Sequence, residues 1–469
     1  MKDLRDKHVT VVGLARSGTG AANLLSELGA IVTVTDLKTE DQLKDFIPGL
    51  NPSVRLMLGS HPEDIFAKAE LLVISPGVPL DIPPVAMAAA RGVPIIGELE
   101  LAYQVIRSQK TEYRKQIEFL AVTGTNGKST TTALLDFMIK KGGYKTILGG
   151  NIGNALTEEI YKQRAKSKEQ NVDYIVAEVS SFQLESIKDF RPKGAAIVNI
   201  TPDHLDRYHS LEEYRIAKAR ICENQGTADF LVLNHDDPET MKVKSEKLKV
   251  KIFFFSRKEE VNGIYLKNGV VYCNFQDSTP GIRHSALIKA DEIKIKGIHN
   301  LENAMAASAM ALLAGCPIEA VIDSLKEFPG LEHRLEFVRE LDGVSYFNDS
   351  KGTNVGAVMK SLESFSGPII LIAGGRDKAG DFSLMRQLVS ERVKALVLIG
   401  EAGEKIGKAL GDLTETVQAK DLKEAVAVSR KLSVHGDVVL LSPACASFDM
   451  FRDFEDRGRQ FKKSIMEMQ

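Results

Sequence analysis

Short apolar runs alternate with amphipathic segments along most of the chain. Near its start, apolar runs at residues 8–14, 31–36 and 71–75 predict strands, and residues 18–29 predict a helix between the first two. Strands that alternate with helices are typical of a parallel sheet covered by helices. The pattern therefore predicts an α/β fold.

The same alternation restarts twice further along the chain. The second segment begins at residue 117, with predicted strands at 173–179, 194–200 and 229–234, a hairpin around Asn268-Gly269 and an alanine-rich helix at 300–314. The third segment has a predicted hairpin around Asp342-Gly343 and strands at 369–373, 395–399 and 438–441.

Two breaks in this pattern predict the domain boundaries. Residues 107–116 are polar and are interpreted as a linker, and the third segment begins near Gly330. Three domains are therefore expected, at 1–107, 108–330 and 331–469.

A glycine-rich turn follows the strand that opens the second segment. Residues 123–130 are Thr-Gly-Thr-Asn-Gly-Lys-Ser-Thr, and a helix is predicted after them at 131–141. Backbone N–H groups in such a turn and at a helix N-terminus bind anions, Lys128 can reach β- and γ-phosphates, and the Ser129 hydroxyl can hold Mg²⁺. Val122 stands where the usual pattern begins with glycine. The order of strand, turn and helix still favours a nucleotide phosphate site over a plain turn.

A second glycine-rich turn follows the first strand, from Gly13 to Gly18, and Asp36 ends the second strand. The arrangement is similar to a dinucleotide-binding turn. Ala15, however, replaces the glycine that lets a pyrophosphate approach the backbone. A nucleotide-diphosphate site, an NAD site and a purely structural turn all stay open, and the pattern favours the first.

Composition excludes several classes of function. The 469 residues carry a formal net charge of −2, so no excess of basic residues favours binding to nucleic acid or an anionic membrane. No apolar run approaches the ~18 residues of a membrane span, and the charged start does not predict a signal peptide. The four cysteines, Cys222, Cys273, Cys316 and Cys445, are scattered. Reduced thiols and a cytoplasmic location are therefore expected.

Uncommon polar residues follow strands of the second segment, where parallel sheets bind ligands. Glu178 ends an apolar strand, so it is paired, binds a metal or lies at an exposed edge. His204 follows the next strand, and both ligand binding and a structural role are open. Asn151 follows two glycines, where it can contact a ligand or simply tolerate left-handed backbone. Lys218 lies in a helix predicted at 211–223, where a solvated side chain is the default.

Three loops after strands of the third segment carry lysines and hydroxyl side chains. These loops are 348–354, 374–378 and 442–449. The two lysines, Lys351 and Lys378, together with the small hydroxyl residues predict a pocket for a small dicarboxylate.

Together, these motifs resemble the Mur ligases, ATP-dependent amide-forming enzymes of peptidoglycan synthesis, over essentially the whole chain. Residues 123–130 match that family's nucleotide loop, which explains the missing first glycine. Its other landmarks correspond to residues 178–183, 199–206, 299–304, 333–334 and 348–354. Residues 442–451 and 454–458 match members that add D-glutamate, and the Asp-Asn-Pro-Arg motif of the relative that adds diaminopimelate or lysine is absent.

The resemblance implies a Rossmann-like N-terminal domain, a central P-loop ATPase-like domain with a mixed sheet and a Rossmann-like C-terminal domain. It also implies ATP, Mg²⁺ and an acyl-phosphate intermediate. The implied ATP-binding residues are Gly124, Thr125, Asn126, Gly127, Lys128, Ser129, Thr130, Asn300, Asn303, Arg334 and Asp349. The implied metal ligands are Ser129, Glu178, His204 and Lys218, the last as a carbamate. The implied catalytic residues are Lys128, His204, Lys218 and Arg334.

The implied substrates are UDP-N-acetylmuramoyl-L-alanine and D-glutamate. Ser17, Asp36 and Lys38 correspond to the family's contacts with the UDP end. Asn151, Ser180, Ser181 and Gln183 correspond to the path of the muramoyl-alanine group. Lys351, Thr353, Lys378, Ser447 and Phe454 correspond to the D-glutamate pocket. A monomer without nucleic-acid or membrane partners is expected.

Three other functions compete with this one. A folylpolyglutamate synthetase shares the central and C-terminal domains but lacks an N-terminal domain of this type. A nucleotide-gated switch protein needs the phosphate loop but not the three loops with lysine and serine. An NAD oxidoreductase needs glycine at Ala15.

Overall fold

The computed structural model describes residues 3–108, 116–166, 172–204, 207–244, 248–275, 284–365, 367–377 and 380–468. The contacts between residues in space divide the chain into two compact units. The first comprises residues 1–293 and 302–327, and the second comprises 294–301 and 328–469. The first unit holds two sheets and the second holds one. The α/β class predicted from the sequence is therefore confirmed, while the three domain boundaries stay predictions.

The first sheet is parallel, with five strands in the order β3-β2-β1-β4-β5. Its strands are β1 (His8–Val12), β2 (Ile31–Asp36), β3 (Arg55–Leu58), β4 (Leu71–Ile74) and β5 (Ile95–Gly97). Its helices are α1 (Arg16–Glu27), α2 (Glu40–Leu43), α3 (Glu63–Lys68), α4 (Pro83–Ala90) and α5 (Glu98–Ser108). The order reverses between β1 and β4, so the turn after β1 lies at the point where such sheets bind ligands.

The second sheet has nine strands in the order β14-β13-β12-β11-β10-β9-β6-β8-β7. Its strands are β6 (Glu118–Thr123), β7 (Thr146–Gly150), β8 (Tyr174–Glu178), β9 (Gly194–Ile197), β10 (Phe230–Asn234), β11 (Lys251–Ser256), β12 (Gly263–Lys267), β13 (Val270–Asn274) and β14 (Ser285–Lys289). Strands β6 to β12 pair in parallel, and the β12–β13–β14 end is antiparallel. The predicted mixed sheet and the hairpin at Asn268-Gly269 are thus confirmed.

Helices lie between and after the strands of the second sheet along the chain. They are α6 (Lys128–Lys141), α7 (Leu156–Lys166), α8 (Ser181–Leu184), α9 (Leu211–Ala219), α10 (Pro238–Met241), α11 (Ile298–Leu313) and α12 (Ile318–Glu327). Helix α6 begins at Lys128, three residues before the predicted start. Lys128 and the hydroxyl residues after it therefore lie within the first turn of the helix.

The second unit contains one sheet in the order β15-β16-β20-β17-β18-β19. Its strands are β15 (Glu336–Leu341), β16 (Val344–Asn348), β17 (Ile369–Gly374), β18 (Val393–Ile399), β19 (Glu415–Gln418) and β20 (Val438–Leu441). Its further helices are α13 (Val355–Leu362), α14 (Arg386–Arg392), α15 (Gly403–Leu410), α16 (Leu422–Leu432) and α17 (Phe454–Met466). Strands β15 and β16 form the predicted hairpin, and the other pairs are parallel.

Three aromatic rings pack edge to face inside the first unit. Tyr103 on α5, Phe119 on β6 and Phe190 after α8 are buried, with ring centroids 5.3 to 5.9 Å apart. Edge-to-face pairs of this kind stabilise a core beyond the apolar area that they bury. Because Tyr103 follows the first sheet and Phe119 belongs to the second, the cluster joins the two layers. Among the described residues, no helix is both long and apolar enough to cross a membrane.

Replacing Phe190 tests this packing. Phe190→Ala should lower the free energy of unfolding of the first unit by about 3–5 kcal/mol, because it leaves a cavity between two rings. Urea unfolding followed by circular dichroism measures the change. Leu384→Ala, at a side chain that is 61% exposed, should change the free energy of unfolding by less than about 0.5 kcal/mol. Equal effects of the two substitutions would contradict the prediction.

Candidate functional site

The turn between β6 and α6 is held by a residue from the neighbouring strand. Asn199, which follows β9, accepts the Thr125 N–H at its carbonyl (2.9 Å) and the Asn126 N–H at its side chain (2.8 Å). Its amide donates back to the Asn126 carbonyl at 3.0 Å. Gly124 and Gly127 have φ angles of 154° and 80°, which favour glycine. The turn is therefore fixed before any ligand binds.

Lys128 bends back over this turn. Its ammonium group donates to the carbonyls of Gly124 (3.0 Å) and Thr125 (2.8 Å). Ser129 and Thr130, in the first turn of α6, are buried. The lysine, the hydroxyls and the N-terminus of the helix thus lie together, as an anion-binding turn requires.

Asn303 on α11 packs against the base of the turn. Its side-chain oxygen accepts a hydrogen bond from Thr131 Oγ1 at 3.2 Å, and a Cβ atom at Gly127 would lie 2.1 Å from the same oxygen. Asn300, in the second unit, donates to the Lys296 carbonyl at 2.8 Å. The predicted ATP-binding role of the two asparagines stays a prediction.

Glu178 is buried at the end of β8, between β6 and β7. The interpretation of an exposed edge carboxylate is therefore wrong, because both faces and both neighbours of the strand are covered. Glu178 Oε1 accepts a hydrogen bond from the Asn151 amide at 2.6 Å, whereas Oε2 is buried and has no hydrogen-bond partner among the residues that the structure describes. A buried carboxylate oxygen without a partner is costly, and a divalent cation would satisfy it.

Lys218 lies on the inner face of α9 and is only 1% exposed. The default interpretation of a solvated lysine is wrong, because this face also carries the buried Tyr214 and turns toward the phosphate loop. The Lys218 ammonium donates to the Gly124 carbonyl at 2.8 Å and lies 4.3 Å from the centroid of the Tyr214 ring. Burial, and then the charge of Lys128, hold the pKa of Lys218 well below its usual value, while Asp203 and Glu178 act in the opposite direction.

His204 lies in the loop after β9 with a positive φ of 53°. Its ring packs on the edge of Phe182, with centroids 4.8 Å apart, and its Nε2 atom lies 3.7 Å from Asp203 Oδ2. No group of three His, Cys, Asp or Glu side chains that could hold a metal occurs among the described residues. The predicted metal role of His204 therefore stays a prediction.

Ser180 and Gln183 bind each other at the start of α8. The Gln183 N–H donates to Ser180 Oγ at 3.3 Å, and Gln183 Oε1 accepts the Ser180 N–H at 2.9 Å. This is a capping box, which fixes the turn directly after Glu178. Ser181 in the same turn is buried. The predicted substrate contacts of the three residues and of Asn151 stay predictions.

Asp36 closes the turn after β1. Its carboxylate accepts the N–H groups of Leu14 at 2.6 Å and Lys38 at 2.8 Å. Ser75, after β4, donates to the Gly13 carbonyl at 2.9 Å. Ser17 lies in the first turn of α1 and is half-buried. The predicted nucleotide-diphosphate residues are thus brought to one edge of the first sheet.

In the second unit, Asp349 follows β16 and is buried. Its Oδ2 atom accepts hydrogen bonds from the hydroxyls of Ser361 and Ser442, each at 2.7 Å. Burial raises the pKa of Asp349 to about 6, although these two hydrogen bonds and the charge of Arg334 act to lower it. Asp349 therefore holds the loops after β16 and β20 together.

Residues of the predicted dicarboxylate pocket lie at this same edge of the third sheet, and their role as a pocket stays a prediction. The Lys351 ammonium lies 3.7 Å from the centroid of the Phe454 ring, a cation–π contact. Ser447 is buried in the loop after β20, and Thr353 is half-buried after β16. Lys378 lies outside the described residues.

Arg457 on α17, which the sequence did not single out as a site residue, organises these loops. Its fully buried guanidinium donates to the Ser350 hydroxyl (2.9 Å), the Ser350 carbonyl (2.9 Å) and the Cys445 carbonyl (3.2 Å). Burial lowers the pKa of Arg457 to about 10. One buried side chain thus ties the loop of Lys351 to the loop of Ser447.

Three family models match the chain. They are "Mur ligase MurD-like, N-terminal domain" at residues 7–97, "Mur ligase middle domain" at 122–311 and "Mur ligase, glutamate ligase domain" at 333–445. The chain is 46% identical over 465 residues to the UDP-N-acetylmuramoylalanine–D-glutamate ligase of Citrifermentans bemidjiense, covering 99% of this chain and 98% of that one. Its identity to the enzyme of the same name from Geotalea daltonii is 46% over 466 residues, with the same coverage.

Solved structures with similar folds are more distant in sequence. UDP-N-acetylmuramate-alanine ligase MurC from Thermotoga maritima is 21% identical with a TM-score of 0.59, and the alignment covers 98% of this chain and 99% of that one. MurF from Acinetobacter baumannii is 16% identical with a TM-score of 0.61, covering 97% and 93%. These similarities confirm the three-sheet fold.

Gly127→Ala tests the crowding at the base of the phosphate loop. The new Cβ would collide with the Asn303 side chain, so we expect the affinity for a non-hydrolysable ATP analogue to fall at least tenfold. Calorimetry measures this affinity. Gly143→Ala is the matched control, since Gly143 has a similar positive φ of 89° but open space around its Cβ position. An equal loss of affinity in both variants would show that backbone strain, and not the collision, is responsible.

Proposed function

The chain belongs to the Mur ligase family, and we propose that it adds D-glutamate to UDP-N-acetylmuramoyl-L-alanine with consumption of ATP. The observation that carries this proposal is the near-full-length similarity to enzymes named for that reaction. The buried phosphate-loop site supports the ATP requirement. The product would serve the synthesis of peptidoglycan precursors, and we propose that the enzyme is a cytoplasmic monomer of three domains.

The chemistry explains why ATP is needed. A carboxylate is a poor electrophile, because its negative charge repels an incoming amine. Transfer of the γ-phosphoryl group to the L-alanine carboxylate gives an acyl phosphate and ADP. The D-glutamate amine attacks the acyl carbon, an amide bond forms, inorganic phosphate leaves and the amine loses a proton. Such a transfer depends mainly on positioning and on neutralising charge.

We assign the neutralisation of the phosphates to the loop of residues 124–130, to Lys128 and to Arg334. The loop is rigid, because Asn199 holds it by accepting the N–H groups of Thr125 and Asn126. A donor that is already in place stabilises the charge of the transition state without reorganising. Asn300, Asn303 and Asp349 complete the proposed ATP-binding set.

We propose that Ser129, Glu178, His204 and Lys218 hold Mg²⁺. The buried Oε2 atom of Glu178, which no described residue hydrogen-bonds, fits a hard cation, because such a cation prefers oxygen ligands. Such an ion, when bound, neutralises the phosphate oxygens and orients the γ-phosphoryl group.

In this proposal Lys218 acts as a carbamate. A neutral lysine amine adds to carbon dioxide, forming an N–C bond and releasing one proton, and the product is an anion with two oxygens. Burial lowers the pKa of Lys218. Its amine is therefore neutral at a lower pH than the amine of a solvated lysine. The modification would replace a second cation beside Lys128 with an oxygen ligand for the metal.

The remaining assignments concern the other two substrates. We propose that Lys351, Thr353, Lys378, Ser447 and Phe454 bind D-glutamate. Ser17 and Asp36 are proposed to bind the UDP end, and Asn151, Ser180, Ser181 and Gln183 the muramoyl-alanine group. Two lysines suit an amino acid with two carboxylates, since each charge gains a partner.

A panel of amino acids tests the proposed function. Phosphate release and product formation should require D-glutamate, and D-glutamine, L-glutamate and L-lysine should support less than a hundredth of the rate, because they leave buried charges unpaired or misplaced. Equal or better use of any of these three would mean that the chain is a different ligase.

Substitution of Lys351 tests the proposed pocket separately. Lys351→Met should raise the D-glutamate KM at least tenfold and leave the ATP KM unchanged. Lys360→Met removes an exposed lysine of α13 that pairs with Glu363, so this control should behave like the wild type. A parallel rise of both KM values in Lys351→Met would argue against the assignment.

Lys218→Ala tests the carbamate. The variant should lose at least a hundredfold in rate, and millimolar acetate or propionate in the buffer should restore part of it, because a small carboxylate can occupy the place of the carbamate. Steady-state phosphate release measures both effects. Lys242→Ala, at an exposed lysine, is the control. It should keep the wild-type rate both with and without the added acid. Full activity of Lys218→Ala without added acid would remove this hypothesis.

A further inference from the structure

We propose that a buried joint formed by Gly20, Glu98, Glu100 and Thr157 fixes the first sheet against the second and thereby positions the long nucleotide substrate. The inference rests on the proposed function, in which the UDP end and the reacting carboxylate lie on different sheets. None of the four residues belongs to the binding sets assigned above. Glu98 and Glu100 would be positioning residues, because they act through the elements that they hold.

Glu98 connects the first sheet to α7. It is the first residue of α5, directly after β5, and is 1% exposed. Its Oε1 atom accepts hydrogen bonds from both the N–H (2.7 Å) and the hydroxyl (2.8 Å) of Thr157 in the first turn of α7. A carboxylate at a helix N-terminus is stabilised by the N–H groups that the helix leaves unpaired. Here the carboxylate comes from a different layer, so it links the two layers.

Glu100 makes a second connection, to the segment before β9. Its Oε2 atom accepts the N–H groups of Lys188 (2.9 Å) and Phe190 (3.0 Å), and its Oε1 atom accepts that of Asp189 (3.0 Å). Three successive backbone donors thus converge on one fully buried carboxylate. Residues two apart in a helix point in roughly opposite directions. Glu98 and Glu100 therefore hold the start of α5 from two sides.

Two glycines let the layers approach closely. A Cβ atom at Gly20 on α1 would lie 2.8 Å from the Glu158 nitrogen and 2.8 Å from Thr157 Oγ1. A Cβ atom at Gly97 would lie 2.1 Å from Ser186 Oγ, and the Gly97 N–H donates to the Ser186 carbonyl at 3.0 Å. Contacts this short leave no room for a side chain. The joint is therefore a backbone-to-backbone contact locked by two carboxylates.

The joint lies close in sequence to residues of both proposed substrate-binding regions. Ser17, assigned to the UDP end, is one turn before Gly20 on α1. Asn151, assigned to the muramoyl-alanine path, precedes Thr157 by six residues and holds the Glu178 side chain. A ligand that contacts both regions binds more tightly than a ligand of one region only if the distance between the regions already matches the ligand. Errors of about 1 Å at such a distance can cost ~100-fold in rate.

Two substitutions loosen the joint without touching a ligand-binding residue. Glu100→Gln replaces one accepting oxygen by an NH₂ group, which faces backbone donors and cannot bind them. Gly20→Ala leaves both carboxylates in place and pushes α1 away from α7. Glu63→Gln, at an exposed carboxylate in the first turn of α3, is the control and should behave like the wild type in every measurement.

Calorimetry on the full-length chain compares two probes, UDP and UDP-N-acetylmuramoyl-L-alanine. In both joint variants the Kd for UDP should change less than twofold, because UDP contacts only the first sheet. The ratio of the Kd for UDP to the Kd for UDP-N-acetylmuramoyl-L-alanine should fall at least fivefold. In steady-state assays kcat should fall at least tenfold, with the KM for ATP unchanged.

A purely structural role would give a different result. If the variants lose UDP affinity by the same factor as substrate affinity, or if the ratio of the two Kd values is unchanged, the inference is wrong. Should Glu100→Gln fail to fold, Gly20→Ala decides alone. Failure of the proposed function is recognised separately, because the wild-type chain would then form no product from D-glutamate.

Discussion

One backbone carbonyl brings two lysine side chains of the first unit together. The Gly124 oxygen accepts hydrogen bonds from the ammonium groups of both Lys128 and Lys218. Burial lowers the pKa of Lys218, and the charge of Lys128 at the same acceptor lowers it further. The loop is thus built for additional negative charge, and the nearby carboxylate of Glu178 supplies only part of it. A triphosphate and a modified Lys218 would each relieve the same repulsion.

The second unit buries charged side chains whose hydrogen bonds hold its loops in place. Asp349 and Arg457 lie at the same edge of the third sheet, and neutral hydroxyls and carbonyls satisfy most of their hydrogen-bonding capacity. Removing such partners is costly, because a buried charge is left unsatisfied. Buried side chains that need not touch a ligand therefore fix the positions of the loops that carry Lys351 and Ser447.

Much of the fold could be predicted because the strands are continuous apolar runs, and parallel strands that are buried on both faces leave that pattern. Strand β3 was missed because its residues are only partly buried. In the site, the phosphate loop could be found from local sequence alone. The burial of Lys218 and the roles of Asn199 and Arg457 could not, because each depends on a partner more than 70 residues away in the chain or on a neighbouring strand.

The glycines near the start of the chain limit how this region could be exchanged for the corresponding region of another protein. Gly18 serves the turn, since a Cβ atom there would lie 2.0 Å from the Gly13 carbonyl, whereas Gly20 serves packing against α7. A glycine pattern that looks like a ligand signature thus also encodes an attachment surface. The first hundred residues are for this reason not an interchangeable module. A chimera with a different N-terminal domain would need the matching surface at residues 156–158 and 186–190 as well.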